Sequence, residues 1–512
     1  MTADGTVLPV TVALVEPLYA AATPPVRRRI EDELSALLAD LGLGTAPAVE
    51  LRADPAPRRN QMIRVEVAGR PCRLPRITAF EALAYVEGTP LVAQDLDAPG
   101  VLSRLGRPDE VDTDRLGELI GLVCRAAVSA QPDVLVPDDP LAPALALGMS
   151  VAGYDAADLC EAFMTRPVEP LIAKLAASAV ELIVEPEYFQ VLTMTGTGGE
   201  LFPYMRDGLF VELGLRLPRM RVRPDSSLRP AGFAFRFNGV RTLPRIGLEP
   251  ETILVNDTVE RLAMWNIEGQ PTLNPGTGQS AAVVAQEHQD LLQRIGLTTW
   301  DPFGYFILAC ASAVRRNAYM LMTATAADAM IEQLGQAFPA VTEAASRCGI
   351  TDVLAPILRE LLRDQVSIRN LRRILELLVR GETTPEEAPA EDRIRLVRSG
   401  LADQIASTLA RNTGTLVAYL LDSEIDDAVA GGGTTANGTD EIVTERLCDA
   451  AYAELTHLPR TAGVPVVVTS GRLRGDIRTR LRYEFPELTV VSYDEIPDRF
   501  NVQPVARLSW SS

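Results

Sequence analysis

The sequence predicts a multi-subdomain protein of mixed α/β and α+β class: a duplicated strand–helix–strand module, a helical subdomain and a C-terminal α/β sandwich-like unit. Three observations lead there. The chain has 512 residues, and domains run to roughly 150 residues each, so several are expected. Its apolar pattern switches repeatedly between the period of a strand and that of a helix. A set of short motifs also returns in the same order, about one third of the chain later.

The first module opens with a strand and an amphipathic helix over Val12 to Gly42. Ile30, Leu34, Leu37, Leu38 and Leu41 recur there at helical spacing. A turn-rich stretch with Pro55 and Pro57 follows. Ile63 to Val67 then alternates with period two, and Ala68-Gly69-Arg70-Pro71 signals a turn.

The repeat is read from four matches. Leu41-Gly42-Leu43 returns as Leu213-Gly214-Leu215, and Val49 to Asp54 as Met220 to Asp225. Ile63 to Gly69 returns as Phe233 to Gly239, and Leu74-Pro75-Arg76-Ile77 as Leu243-Pro244-Arg245-Ile246. The offset drifts only from 172 to 169, which predicts an internal duplication. A weaker echo pairs Asp114 to Gly117 with Asp301 to Gly304, each opening an apolar helix, so an insertion is expected between 251 and 300.

Between the copies, residues 155 to 184 read as helical. Ala324 to Arg380 is strongly helical, with Ser367 as the N-cap of its last helix and Ile368, Leu371, Ile374, Leu375 and Leu378 as the buried stripe. Gly381 to Asp392 is a Pro/Glu-rich linker, and Gly431 to Gly438 a glycine-rich loop. The chain closes with a strand at Pro465 to Thr469, a helix at Leu473 to Phe485, and strands at Leu488 to Tyr493 and Phe500 to Leu508. The expected division is 1–150 for the N-terminal module and 151–184 for a helical connector. Residues 185–250 with 301–323 form the second copy, 251–300 an inserted small subdomain, 324–402 the helical subdomain and 403–512 the C-terminal α/β subdomain.

Charge and composition exclude several function classes. The net charge of −19 repels a phosphate backbone over most of the surface, so nucleic acid is not an expected partner. No stretch reaches the ~18 apolar residues of a spanning helix, and the N-terminus lacks a basic region followed by an apolar core. A cytoplasmic protein without direct membrane insertion is expected.

The six cysteines form no C-x-x-C pair and read as buried thiols. His288 and His457 lie far from any nucleophile motif. The glycine-rich loop is flanked by Glu424, Asp426, Asp427, Asp440 and Glu441, which would repel phosphate, so it reads as a linker rather than a nucleotide cradle. No catalytic residue, metal site or cofactor is expected, and the chain reads as non-enzymatic.

Two stretches are family-specific. Leu361-Leu362-Arg363-Asp364-Gln365-Val366-Ser367-Ile368-Arg369-Asn370-Leu371-Arg372-Arg373-Ile374-Leu375-Glu376 resembles the most recognisable cytoplasmic segment of the flagellar and type III secretion export-gate family, the FHIPEP family of FlhA/SctV type. Val490 to Ile496 with Asn501-Val502-Gln503 resembles that family's ending. Val211 to Leu215, Arg221 to Asp225 and Phe233 to Val240 are similar to its first cytoplasmic subdomain. The likeness covers roughly 185 to 512, in family order.

This resemblance implies a scaffold that assembles with copies of itself, in the family's case as a nonameric ring, and docks protein partners. Arg369, Arg372, Arg373 and Glu376 are the implied oligomer-interface residues. The family's partner-binding cleft uses a D-P-x-F motif and a Thr-His pair. The matching positions here are Asn274, Pro275 and Thr277, with Leu308 and Ala309, so the charge and the aromatic anchor are lost. The family's transmembrane half is expected to be missing, with the N-terminal duplicate in its place. Two other readings stay open: an accessory component recruiting substrates to a type III-like secretion apparatus, or an adaptor in a signalling or defence operon.

Overall fold

In the computed structural model, residues 9–129 and 180–510 are described. The shorter stretches 41–47, 55–61, 73–76, 91–103, 106–111, 195–197, 382–388, 432–437 and 457–465, and a few single positions, are excepted. Among the described residues, helices mix with four sheets. Its described residues fall into two compact units, one running to Met205 and from Leu217 to Ala313, the other holding Arg206–Arg216 and the chain from Val314 onward.

The first unit begins with β1 (Val10–Leu14), α1 (Glu16–Ala21), α2 (Pro24–Asp40), β2 (Val49–Ala53), β3 (Ile63–Val67) and β4 (Arg70–Pro71), then α3 (Ala79–Glu87) and α4 (Thr113–Ser129). The strand order is β2-β1-β3-β4, with β1 parallel to β2 and antiparallel to β3. Alternation places Ile63, Val65 and Val67 in the core with Val12, Leu14, Leu18, Ile30 and Leu34.

A second sheet follows: β5 (Val180–Val184), β6 (Arg221–Pro224), β7 (Gly232–Phe237), β8 (Val240–Arg241) and β9 (Arg245–Ile246), with α5 (Pro186–Met194) and α6 (Gly198–Leu213) between its first two strands. Its order is β6-β5-β7-β8, with β5 parallel to β6 and antiparallel to β7. Both sheets share details. Val15 N–H donates to Met62 and Glu185 N–H to Gly232. Asp54 N–H donates to Leu14 and Asp225 N–H to Val184.

Beneath β7 lies a phenylalanine core. Phe233 meets Phe306 edge to face at 5.1 Å, and Phe202 meets Phe303 at 5.6 Å.

One expectation fails here. The helical connector ends in strand: residues 151–179 lie outside the described residues, but 180–184 form β5, at the centre of its sheet. Val-Glu-Leu-Ile-Val is rich in β-branched residues, and pairing on both sides rewards that preference. The second sheet therefore begins before residue 185.

The small inserted sheet consists of β10 (Thr252–Val255), β11 (Gln270–Leu273), β12 (Ser280–Ala285) and β13 (Thr299–Trp300), ordered β11-β12-β10-β13, with α7 (Val259–Ala263) and α8 (Gln289–Arg294). Ile253, Val255, Leu262, Ile267, Val284 and Leu292 make its own core. Helix α9 (Pro302–Asn317) comes next.

The second unit carries α10 (Ala324–Ala337), α11 (Pro339–Arg347), α12 (Ile350–Arg363), α13 (Leu371–Arg380), α14 (Ala390–Gly400) and α15 (Ala402–Leu409). It ends in a parallel sheet, β16-β15-β14-β17, of β14 (Thr415–Leu421), β15 (Val466–Thr469), β16 (Val490–Ser492) and β17 (Asn501–Leu508). Helices α16 (Ser423–Gly431), α17 (Gly438–Thr456) and α18 (Arg474–Leu481) complete it. Successive β14 residues face opposite ways. Leu416 packs on Ala406 and Ala410, whereas Tyr419 and Leu421 pack on Ile425, Val429 and Leu447.

Helix α13 starts at Leu371, with Asn370 and not Ser367 at its N-cap position. Ser367 Oγ accepts from Arg369 N–H at 3.4 Å, and the Ile368 N–H, which a helix capped at Ser367 would leave free, donates to Leu213 O at 2.8 Å. Ile368 is nonetheless fully buried, as are Leu371, Ile374, Leu375 and Leu378. The stripe holds although the helix starts later.

Candidate functional site

The hairpin between β11 and β12 presents Asn274, Pro275 and Thr277. Asn274 is buried and braces the loop from within. Its N–H donates to Gln279 O at 2.8 Å. Its Oδ1 accepts from Gly276 N–H at 2.8 Å, and its Nδ2 donates to Asn256 Oδ1 at 3.3 Å. Thr277 is exposed and its Oγ1 accepts from Gln279 N–H at 3.3 Å.

Helix α9 supplies the other wall. A methyl group added at Gly276 would sit 3.3 Å from Leu308 Cδ2. The structure thus brings the hairpin and Leu308 together, although they lie well apart in sequence. The four candidate side chains carry no ionisable group. What they offer a partner is a half-buried leucine and proline beside a hydroxyl, with no charge to orient it.

The second candidate group lies on α13 and, for Arg369, just before it. Arg372 and Arg369 are exposed, and Arg373 and Glu376 half-buried. Arg372 Nε donates to Glu376 Oε1 at 2.7 Å, one helical turn away. The Arg372 guanidinium also lies 4.7 Å over the partly exposed Phe338 ring. The hydrogen bond from Arg372 holds the Glu376 carboxyl below its usual range. Arg369 stands apart from this pair. Its backbone passes against Gly214, whose φ of 77° and lack of a side chain let the segment before α13 cross there.

The sequence reading passed over a buried ionic cluster in the second unit. Arg398 of α14 is fully buried and bonds Glu495 in a fork, Nε to Oε1 and Nη2 to Oε2, each at 2.7 Å. Asp364, just after α12, accepts from Arg398 at 3.1 Å, Arg474 at 2.6 Å and Arg478 at 3.2 Å. Burial pulls the Asp364 pKa up, but Arg398, Arg474 and Arg478 outweigh it and leave the carboxyl below its ordinary value. Asp364 and Glu495 both fall inside the two family-like motifs. A charge set within an apolar run was the available signal, but its partners lie far off in sequence.

Cys72, Cys124, Cys310 and Cys448 are buried thiols outside any disulfide and Cys348 is half-buried, while Cys160 lies outside the described residues. Burial, aided by Glu66, pushes Cys72 up to about 11. Burial alone pushes Cys310 up to about 12. Thiols so shifted are poor nucleophiles at neutral pH. Among the described residues no three His, Cys, Asp or Glu side chains converge as metal ligands. Among them, too, no helix is long and apolar enough to cross a membrane. Of the flagged histidines, His288 lies 3.7 Å from Glu287, and His457 is outside the described residues, as is most of the glycine-rich loop.

The sequence profile of the FHIPEP family matches residues 155–501. The flagellar biosynthesis protein FlhA of Bacillus subtilis is 24% identical over 387 residues, covering 72% of this chain and 56% of that protein. The Chlamydia pneumoniae CdsV protein has a similar fold, with a TM-score of 0.59 at 24% identity over 65% of this chain and 98% of that one. The nonameric EscV cytosolic domain from the type III secretion system gives a TM-score of 0.50 at 18% identity, over 65% and 97%. The chain spans about half the length of the curated relatives it matches.

Proposed function

Because the chain belongs to the FHIPEP family, we propose that it is a non-enzymatic cytoplasmic scaffold of a protein-export apparatus, which assembles with copies of itself and docks protein partners. The observation that carries this reading is the family match across 155–501, joined to a fold like that of a domain solved as a nonamer. Head-to-tail contacts close into a ring when the rotation per subunit divides a full turn. In this reading α13 and the residues just before it lie in the subunit contact through Arg369, Arg372, Arg373 and Glu376. The surface of Asn274, Pro275, Thr277 and Leu308 receives the partner, and its neutral character favours an apolar segment over a charged one.

The N-terminal module is, in the same reading, a second copy of the first export-gate-like subdomain. The matching order and pairing of the two sheets support it. So does a motif at the first strand end of each, Val15-Glu16-Pro17-Leu18-Tyr19 and Val184-Glu185-Pro186-Glu187-Tyr188. The division into a helical subdomain to about 402 and a C-terminal α/β subdomain beyond it belongs to the proposal as well.

Light scattering on the full chain and on Arg372→Glu tests the assembly. The reading predicts a multimer that the substitution breaks down, with the far-UV spectrum unchanged. An assembly mass indifferent to the substitution would remove α13 from the contact. A second reading, a component that recruits substrates to a separate membrane subunit, draws on the secretion proteins among its relatives. It predicts capture of this chain by such a subunit.

A further inference from the structure

Strands β2 and β6 hold the same place in their two sheets. Each lies at an edge and pairs on one side only, β2 with β1 and β6 with β5. The registers also correspond. Leu51 lies opposite Val12, and Val222 opposite Leu182. Both strands run on into an aspartate whose N–H donates to the end of the neighbouring strand, Asp54 to Leu14 O and Asp225 to Val184 O.

The two edges differ in what covers them. Helix α2 lies over β2, so Leu51 is 6% exposed and shares a core with Ile30 and Leu34. Glu31 of the same helix accepts the Leu51 N–H at 3.3 Å, and Arg52 pairs with Glu66 at 3.3 Å. Val222, at the place of Leu51, is 41% exposed. Arg221, Arg223 and Pro224 beside it are exposed as well. Among the described residues no carboxylate pairs with either arginine. In a chain of net charge −19, this edge is a basic spot with an apolar centre. Arginines and a proline discourage a further strand. The cover that suits β6 is therefore the one seen on β2, a helix bringing an apolar side chain and a carboxylate.

Helix α17 carries that combination on its outward face. Ile442 is 57% exposed, and Glu445 and Asp449, one and two turns further on, are exposed too. The basic residue of the stretch, Arg446, leans over the Trp510 ring at 5.7 Å. Isoleucine and glutamate repeat what α2 brings to β2 through Ile30 and Glu31, and the two carboxylates answer the two arginines in sign.

We propose that the β6 edge of one copy receives the outward face of α17 from a second copy. Ile442 seats on Val222, and Glu445 and Asp449 face Arg221 and Arg223. The contact joins two different surfaces, as head-to-tail assembly requires, and its charge pairs fix register and partner choice. It rests on the self-assembly reading and adds to it a contact apart from α13.

The test compares self-association of the full chain, by light scattering over a concentration series, in four forms: unaltered, Arg223→Glu, Glu445→Arg, and the two combined. Both positions are exposed, so far-UV spectra should stay the same. Each single variant should weaken association at least about tenfold, and the combined variant should return to within about threefold of the unaltered chain. An unaltered chain that associates while both single variants associate equally well overturns this contact and leaves the assembly reading standing. A combined variant no better than the single ones overturns the pairing of β6 with α17. An unaltered chain that is monomeric at every concentration overturns the assembly reading, and this contact with it.

Discussion

Asn274 braces its hairpin because it is an amide: one end accepts from Gly276 and the other donates to Asn256. A carboxylate cannot donate. Asn274→Asp should therefore weaken the hairpin by about 1–2 kcal/mol, read as faster hydrogen exchange in β11 and β12, while Thr277→Ala leaves those rates nearly unchanged. That position 274 carries no charge was legible from sequence. The reason an asparagine suits the site was not, since Asn256 is brought there only by the sheet. The second prediction concerns Asp364. Three arginines depress its pKa in the folded protein, so its contribution is present above the unfolded value near ~3.9 and is lost as pH falls through the lower folded value. Asp364→Asn should cost about 3 kcal/mol or more, because it leaves buried arginines short of a partner. The acid-induced loss of structure in the second unit should then flatten in the variant, as followed by circular dichroism between pH 5 and 2. An unchanged acid profile would remove the cluster as a stabilising device.

At the scale of elements, the sequence showed the periods well and the ends poorly. The stripe from Ile368 to Leu378 is buried as expected, because apolar spacing reports burial whatever the backbone does at the helix start. Ser367 satisfied every local rule for an N-cap. The helix starts at Leu371 instead, after a segment held by contacts that no local window contains, among them Ile368 N–H to Leu213 O. Ser367→Ala should accordingly change stability by less than about 0.5 kcal/mol, well under the ~1 kcal/mol of a true cap. Gly214→Ala should be far worse. Its φ of 77° is strained for alanine, and the added carbon would strike the backbone of Arg369. The strain alone is about 1–3 kcal/mol, and denaturant unfolding followed by tryptophan fluorescence reads both variants. The strand at 180–184 was missed because its apolar run is too short to tell strand from buried helix by period. The Val-Glu-Pro-x-Tyr match at its end was the overlooked clue.

At the scale of the molecule, the chain joins a family-like portion over 155–501 to an N-terminal module with the same sheet order as its neighbour. The family was legible because two motifs carry it in a few dense residues. Assembly is expected only through that resemblance, since an exposed arginine–glutamate pair on a helix reads the same whether solvent or another subunit faces it. Self-assembly is the central claim, and sedimentation velocity of the full chain at micromolar concentration tests it most directly. The account predicts a single closed species whose mass is a multiple, near nine, of the 55.4 kDa chain. A sole species at 55.4 kDa, at every concentration, would contradict it.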